Sequence, residues 1–140
     1  SDTGGRVINC MIDSYVLVND NSVAFKSMGQ LNYLSALQFV DAVVGNSSSG
    51  LIEAPSFNVA TIDIGDRQKG RIKAESVISC LPEKKNIDNA IKKIYSQHFQ
   101  EVVKKVKNPY GDGGASKIIF DTIKNFNLDN IIKKTFYDLQ

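Results

Sequence analysis

The sequence predicts an α/β fold with a mostly parallel sheet covered by helices on both faces. Short apolar runs, typical of buried strands, alternate along the chain with longer segments whose apolar residues recur every three to four positions. Strands separated by helices favour a parallel sheet, because each crossover places a helix against a sheet face. No linker or internal repeat divides the 140 residues. Residues 1–140 are therefore predicted to form one three-layer, Rossmann-like domain.

The expected elements alternate along the chain. A helix begins near residue 4, where Asp2 or Thr3 can cap it, and a second helix carries the apolar residues of 31–40. Strands are expected at 23–25, 42–45, 59–64 and 77–79. A short helix near 49–54 is expected to end close to Pro55, since proline disfavours a helical backbone conformation in the residue before it. Further helices are expected at 86–105, as one or two segments, at 115–125 and at 128–134.

Composition excludes several classes of protein. Hydrophobic residues make up 42% and charged residues 23%, as in a globular domain, and a net charge of +2 is too small to indicate nucleic acid or membrane binding. The two cysteines, Cys10 and Cys80, are too few for a disulfide framework and are predicted to be buried free thiols. No signal peptide and no apolar run of about 20 residues is visible, so a cytoplasmic location is expected. The abrupt, turn-like start predicts a fragment of a longer protein.

The most informative segment is AVVGNSSSGLIEAPSF, residues 42–57. An apolar strand ends at Gly45, a turn of small hydroxyl residues follows, and a short helix begins. Such a turn presents backbone N–H groups and hydroxyl donors at the positive end of a helix dipole, which suits an anion such as phosphate. The alternative is that these serines simply cap a helix.

Three turns are predicted at the carboxyl ends of strands, at 27–30, 45–50 and 65–69, where open parallel sheets bind ligands. They would bring together Ser47, Ser48, Glu53 and Arg67. The serines suit phosphate oxygens, Arg67 suits a diphosphate, and the Glu53 carboxylate suits two vicinal sugar hydroxyls. This set favours a nucleoside diphosphate, with a solvated Glu53 and a surface ion pair of Arg67 as the alternatives. The sequence contains neither GxGxxG nor GxxxxGK[ST].

Three motifs resemble the hydrolysing UDP-N-acetylglucosamine 2-epimerases, above all the bacterial branch of sialic or legionaminic acid synthesis. They are GNSSSGLIEAPSF (45–57), TIDIGDRQKGR (61–71) and NPYGDGGAS (108–116). The resemblance extends to about residue 125. It implies that the chain is the UDP-binding C-terminal half of a GT-B fold. The partners it implies are UDP or a UDP-sugar, an absent N-terminal domain and, in the intact protein, a possible second copy; no cofactor or metal is expected.

The resemblance also implies roles for individual residues. Ser47, Ser48 and Arg67 match the family's diphosphate contacts, and Glu53 matches its contact with the ribose hydroxyls. Tyr33 falls where the family often has an aromatic residue near uracil, although it is equally readable as a core residue of its helix.

The backbone of Met28 to Gln30 would read the uracil edge. For the NPYGDGGAS loop, a structural role is favoured over a contact with the nucleotide.

No catalytic residue is assigned within the chain. The resemblance implies elimination of UDP and hydration of a glycal, performed by carboxylates of the N-terminal domain and by a histidine that would precede Ser1. His98, the only histidine, matches no motif and is predicted to be an ordinary surface or packing residue. The chain alone is therefore expected to be inactive. The alternatives are the donor domain of a GT-B glycosyltransferase and a non-catalytic nucleotide-sugar-binding module.

Overall fold

A three-stranded parallel sheet organises the chain in a computed structural model, which describes residues 4–129 and residue 132. The strands are β1 (Ala42–Gly45), β2 (Ala60–Ile64) and β3 (Val77–Cys80), in the order β1-β2-β3. The helices are α1 (Gly5–Val18), α2 (Gly29–Ala36), α3 (Ser49–Ile52), α4 (Lys84–Ile94), α5 (Gln97–Lys105) and α6 (Ala115–Asn125), with a 3-10 helix at Ala54–Phe57. The predicted α/β class is confirmed, with a fully parallel sheet in the described residues.

The core lies on one face of the central strand. Ala60 and Ile62 of β2 are fully buried there. They pack against buried apolar side chains of α4 and α5, namely Ala90, Ile94, Phe99 and Val103. On the opposite face the Thr61 hydroxyl donates a 2.8 Å hydrogen bond to the Gly50 carbonyl of α3. Helices therefore cover β2 on both sides.

The helical region that follows the sheet is divided into two helices by a local cap. Ser96 lies between α4 and α5, and its hydroxyl accepts a hydrogen bond from the Phe99 N–H at 3.4 Å. Serine at this position stabilises a helix start because it satisfies an N–H that has no partner within the helix. Gln100 then donates to the Ile94 carbonyl at 2.6 Å and ties α5 back to the end of α4.

The strand predicted at 23–25 is wrong. These residues have no strand conformation, and the side chains of Val23 and Phe25 are 75% and 66% exposed. A strand requires a hydrogen-bonded neighbour, and in the described part of the sheet β1 is an edge strand with β2 as its only partner. The short helix after β1 is also shorter than predicted, since α3 ends at Ile52 and Pro55 lies in the 3-10 helix.

Helix α1 forms as predicted, but its apolar stripe is not buried against any described element. Val7, Met11 and Tyr15 are each more than 60% exposed. Cys10 on the same helix is exposed and Cys80 is half-buried, so the prediction of two buried thiols is wrong for Cys10.

Helix α6 matches its predicted bounds and has only exposed residues. The proposed caps Asp2 and Thr3, and most of the helix predicted at 128–134, lie outside the described residues. Among the helices that the structure describes, none has the length and apolar character needed to span a bilayer.

We expect Gly50→Ala to destabilise the fold by about 1–3 kcal/mol, the usual cost of overpacking a tight core site. A Cβ atom at this position would lie 2.5 Å from the Thr61 Cγ2 atom, so α3 would have to move away from the sheet. Urea unfolding measures the change. The control is Gly5→Ala in α1, which meets nothing within 4 Å. Alanine should raise helix stability there by up to about 1 kcal/mol. Equal stability of the Gly50→Ala variant and the parent chain would contradict this account of the contact.

Candidate functional site

A groove of about 540 Å³ lies between the start of α2 and the turn after β1. This volume is in the range of small-molecule sites. The groove is lined by Ser27, Met28, Gly29, Gln30, Tyr33, Val43, Ser47, Ser49 and Glu53. Two of the three predicted turns therefore meet here, although the first of them does not follow a strand.

The sequence-predicted site residues divide into two sets. Met28, Gln30, Tyr33, Ser47 and Glu53 line the groove. Ser48 and Arg67 do not belong to its lining.

Ser48 lies directly before α3, and its backbone carbonyl accepts the N–H groups of Leu51 and Ile52, both at 3.0 Å. Arg67 is exposed, but its Nη1 atom lies 3.5 Å from the Asn46 Oδ1 atom, in the turn that carries Ser47. Arg67 is thus adjacent to this turn without lining the groove.

Residues 45–50, which we call the serine turn, differ from the prediction in two respects: one serine hydroxyl is bonded within the turn, and the helix that follows is short. The Ser47 hydroxyl accepts a 3.3 Å hydrogen bond from the Ser49 N–H, which orders the turn internally. Helix α3 has only four residues, so its aligned peptide dipoles contribute little to anion binding. The anion-binding capacity of the turn therefore depends on its hydroxyl and N–H groups.

Tyr33 connects α2 to the serine turn. Its hydroxyl group shares a short hydrogen bond with the Ser49 hydroxyl, and both side chains are half-buried in the wall of the groove. Sequence reasoning did not single out Ser49 as a site residue. The available signal was its place in the Ser47–Ser49 run, where the choice among three adjacent serines depends on the turn geometry.

Residues 65–73, which we call the Arg67 loop, are held in place by side-chain contacts of Lys73 and Gln68, among others. Lys73 forms a 2.8 Å ion pair with Asp63 and donates to the Ser79 hydroxyl at 2.7 Å. Gln68 donates to the Asn46 carbonyl at 2.7 Å and so joins the loop to the serine turn. No sequence motif predicted either contact, because each joins residues that are brought together only by the sheet.

The NPYGDGGAS loop contributes no residue to the groove lining and instead braces α3 and the 3-10 helix. The Asn108 side chain donates to the Ile52 carbonyl at 2.7 Å and to the Ser56 hydroxyl at 2.6 Å. The Tyr110 hydroxyl donates at 2.9 Å to the carbonyl of Ile72, which belongs to the Arg67 loop. These contacts are consistent with the structural role that the sequence favoured.

The two side chains whose pKa is shifted, Cys80 and Tyr95, do not line the groove. Burial, and secondarily the negative charge of Asp63, raises the pKa of the Cys80 thiol. A hydrogen bond to Asp41, together with its charge, raises the pKa of the Tyr95 phenol. His98 is exposed on α5, as predicted. No group of three or more His, Cys, Asp or Glu residues suited to a metal ion occurs in the part of the chain that the structure describes.

We expect Lys73→Met to lower the free energy of unfolding by about 3 kcal/mol at neutral pH. Asp63 is 1% exposed, and its Oδ1 atom has no hydrogen-bond partner among the described residues, so the variant leaves a buried carboxylate without its counter-charge. Chemical denaturation measures the loss. Lys69→Met removes an exposed charge from the same loop and should change stability by less than about 0.5 kcal/mol. Similar losses in the two variants would show that the ion pair has no special role.

Comparison with known proteins gives a family match over most of the chain. The family model described as UDP-N-acetylglucosamine 2-epimerase matches residues 1–124. The match covers α1 to α6 except the last residue of α6, including the groove and the Arg67 loop.

Three curated relatives are similar along nearly the whole chain. The GDP/UDP-N,N'-diacetylbacillosamine 2-epimerase (hydrolyzing) of Campylobacter jejuni is 40% identical over 141 residues, which covers 99% of this chain and 36% of the relative. The polysialic acid biosynthesis protein P7 of Escherichia coli is 45% identical over 143 residues, again 99% and 36%. The UDP-N,N'-diacetylbacillosamine 2-epimerase (hydrolyzing) of Legionella pneumophila is 32% identical over 136 residues, 94% and 34%. The chain thus spans about a third of the length of these relatives.

Proposed function

This chain belongs to the UDP-N-acetylglucosamine 2-epimerase family, and from that premise we propose that it is the UDP-binding part of a hydrolysing 2-epimerase. The whole enzyme would convert UDP-N-acetylglucosamine to UDP and N-acetylmannosamine, by elimination of UDP and hydration of a glycal, for sialic-acid-type sugars. In this proposal residues 1–140 form one Rossmann-like domain, the C-terminal half of a GT-B fold. The family match favours this function over a glycosyltransferase donor domain.

The observation that carries the proposal is the groove bounded by the serine turn, with Arg67 beside it. Ser47 lines the groove, and the Arg67 guanidinium lies 3.5 Å from the side-chain oxygen of the preceding residue, Asn46. A guanidinium and hydroxyl donors are suited to the oxygens of a diphosphate, since charge-assisted hydrogen bonds are stronger than neutral ones. We assign Ser47, Ser48 and Arg67 to the two phosphates.

The rest of the groove suits the nucleoside. Glu53 is half-buried in the lining, and an ionised carboxylate accepts hydrogen bonds from both ribose hydroxyls. Tyr33 offers an aromatic surface to uracil, with its hydroxyl already bonded to Ser49. We assign the backbone of Met28 and Gln30 to the polar edge of the base.

The groups that perform the reaction are proposed to lie in the part of the relatives that this chain does not match. His98 is on α5, which packs on the opposite face of β2 from α3. We therefore assign no catalytic residue in residues 1–140, and we propose the remaining part of the enzyme, and a second copy of it, as partners. Two relatives are named for N,N'-diacetylbacillosamine, so nucleotide derivatives of both sugars belong in any substrate test.

Calorimetry should detect UDP binding to the chain, and Arg67→Ala should raise the dissociation constant for UDP by about tenfold or more. A charge-assisted hydrogen bond contributes roughly 1.5–3 kcal/mol, and 1.4 kcal/mol corresponds to tenfold. Binding of uridine, which has no phosphates, should not respond to this variant. Glu53→Ala should lower the affinities for UDP and for uridine by the same factor, because both ligands carry the ribose hydroxyls.

The charge-matched control is Lys105→Ala on α5, which should leave both affinities unchanged. Unchanged UDP affinity in the Arg67→Ala variant would show that the phosphates bind at another position. If the parent chain does not bind UDP, the proposed function is wrong.

We also expect the 140-residue chain by itself to release no N-acetylmannosamine from UDP-N-acetylglucosamine. Elimination needs a base at C2 of the sugar and an acid at the leaving group, and the proposal places neither in this chain. Chromatographic detection of the free sugar after prolonged incubation is the measurement. Release of the free sugar by this chain would contradict the expectation, and loss of that release in the His98→Ala variant would identify His98 as a catalytic residue.

A further inference from the structure

We propose that Gln68 is a positioning residue: it holds the Arg67 loop against the serine turn, so that Arg67 meets the diphosphate at a set distance from Ser47. This inference deepens the proposed function and rests on it. Gln68 itself is not assigned any contact with the nucleotide.

Gln68 and Arg67 both contact Asn46 of the serine turn, but they contact different groups of that residue. Gln68 is 3% exposed, and its Nε2 atom donates to the backbone carbonyl of Asn46 at 2.7 Å. The neighbouring Arg67 is exposed, and its Nη1 atom reaches only the Asn46 side chain, at 3.5 Å. The buried amide therefore connects the two backbones, while the guanidinium keeps its donors available.

Other contacts hold the two ends of the Arg67 loop. The Gly65 N–H donates to the Cys80 carbonyl at 2.9 Å. At the other end Lys73 is paired with the buried Asp63. Between these two points, Gln68 and Arg67 both contact Asn46, but only the 2.7 Å Gln68 bond reaches its backbone, whereas the 3.5 Å Arg67 contact is with its side chain. Without the Gln68 bond, the two anchored ends still leave the Arg67 backbone free to shift away from Ser47.

The burial of Gln68 indicates that this contact is specific. Its Oε1 atom is buried and has no hydrogen-bond partner among the described residues. A buried amide with an unpaired oxygen lowers stability, so an apolar side chain of similar size would suit packing at least as well. What an apolar residue cannot do is donate to the Asn46 carbonyl, and that donation is the property by which Gln68 sets the position of the loop.

A double-mutant cycle on the 140-residue chain tests the proposal by calorimetry with UDP and with uridine. Gln68→Leu should raise the dissociation constant for UDP by about tenfold, since both the loop position and the reach of Arg67 change. Uridine binding should stay within about twofold. In the Arg67→Ala background, adding Gln68→Leu should change UDP binding by less than about twofold, because residues that act through one another are not additive.

The matched control is Gln100→Leu. Gln100 also donates through Nε2 to a backbone carbonyl, that of Ile94 at 2.6 Å, but it lies between α4 and α5. It should lower thermal stability without changing UDP binding. Gln68→Met, with a flexible side chain of similar length, replaces Gln68→Leu if the latter does not fold.

The outcomes separate the two proposals. Suppose that the parent chain binds UDP. If the Gln68→Leu variant then has the parent's affinity for UDP, or loses as much affinity for uridine as for UDP, the positioning role is wrong and the proposed function stands. Additive effects of the two substitutions also overturn it, as does unfolding of both Gln68 variants, which would mean that Gln68 supports the whole chain. If the parent chain does not bind UDP, the failure belongs to the proposed function.

Discussion

The burial of β2 on both faces is the constraint on which the rest of this structure depends. Its odd and even positions differ in chemistry: Ala60 and Ile62 are apolar, whereas Thr61 and Asp63 are polar, and all four are at most 2% exposed. The apolar pair supports α4 and α5 through ordinary hydrophobic packing. The polar pair is stable in the interior only with hydrogen-bonding or charged partners, and those partners belong to the segments that form the candidate site.

Each polar residue of β2 holds one of these segments. Thr61 bonds to the Gly50 carbonyl and keeps α3 against the sheet, at a distance that leaves no room for a side chain at residue 50. Asp63 binds Lys73 and holds the far end of the Arg67 loop. The candidate site is therefore built on a rigid strand, although its own residues lie in turns. This arrangement is common in α/β proteins, where loops carry the chemistry and the sheet determines where they lie.

Local patterns predicted the helices and strands that have a strong signal of their own. The 3.6-residue periodicity identified α1, and the same reasoning located α6 with its observed bounds. The apolar run of 23–25 has the composition of a strand but no neighbour to pair with in the described residues, and pairing is not visible in a local pattern. Likewise the stripe of α1 predicts a face that needs a partner, but it does not identify one. Its side chains remain exposed because no described element packs against them.

By itself, the sequence determined the α/β class, the serine turn with its hydroxyl donors, and the motifs that identify the family, because these features depend on residues that are close along the chain. The tertiary structure alone decided that Tyr33 bonds to Ser49, that Lys73 neutralises Asp63 and that Gln68 reaches the Asn46 carbonyl. Gln68 and Asn46 are 22 residues apart, and Tyr33 and Ser49 are 16 apart. Such pairs meet only when the packed sheet and its flanking helices bring distant segments together, and no local preference encodes that meeting.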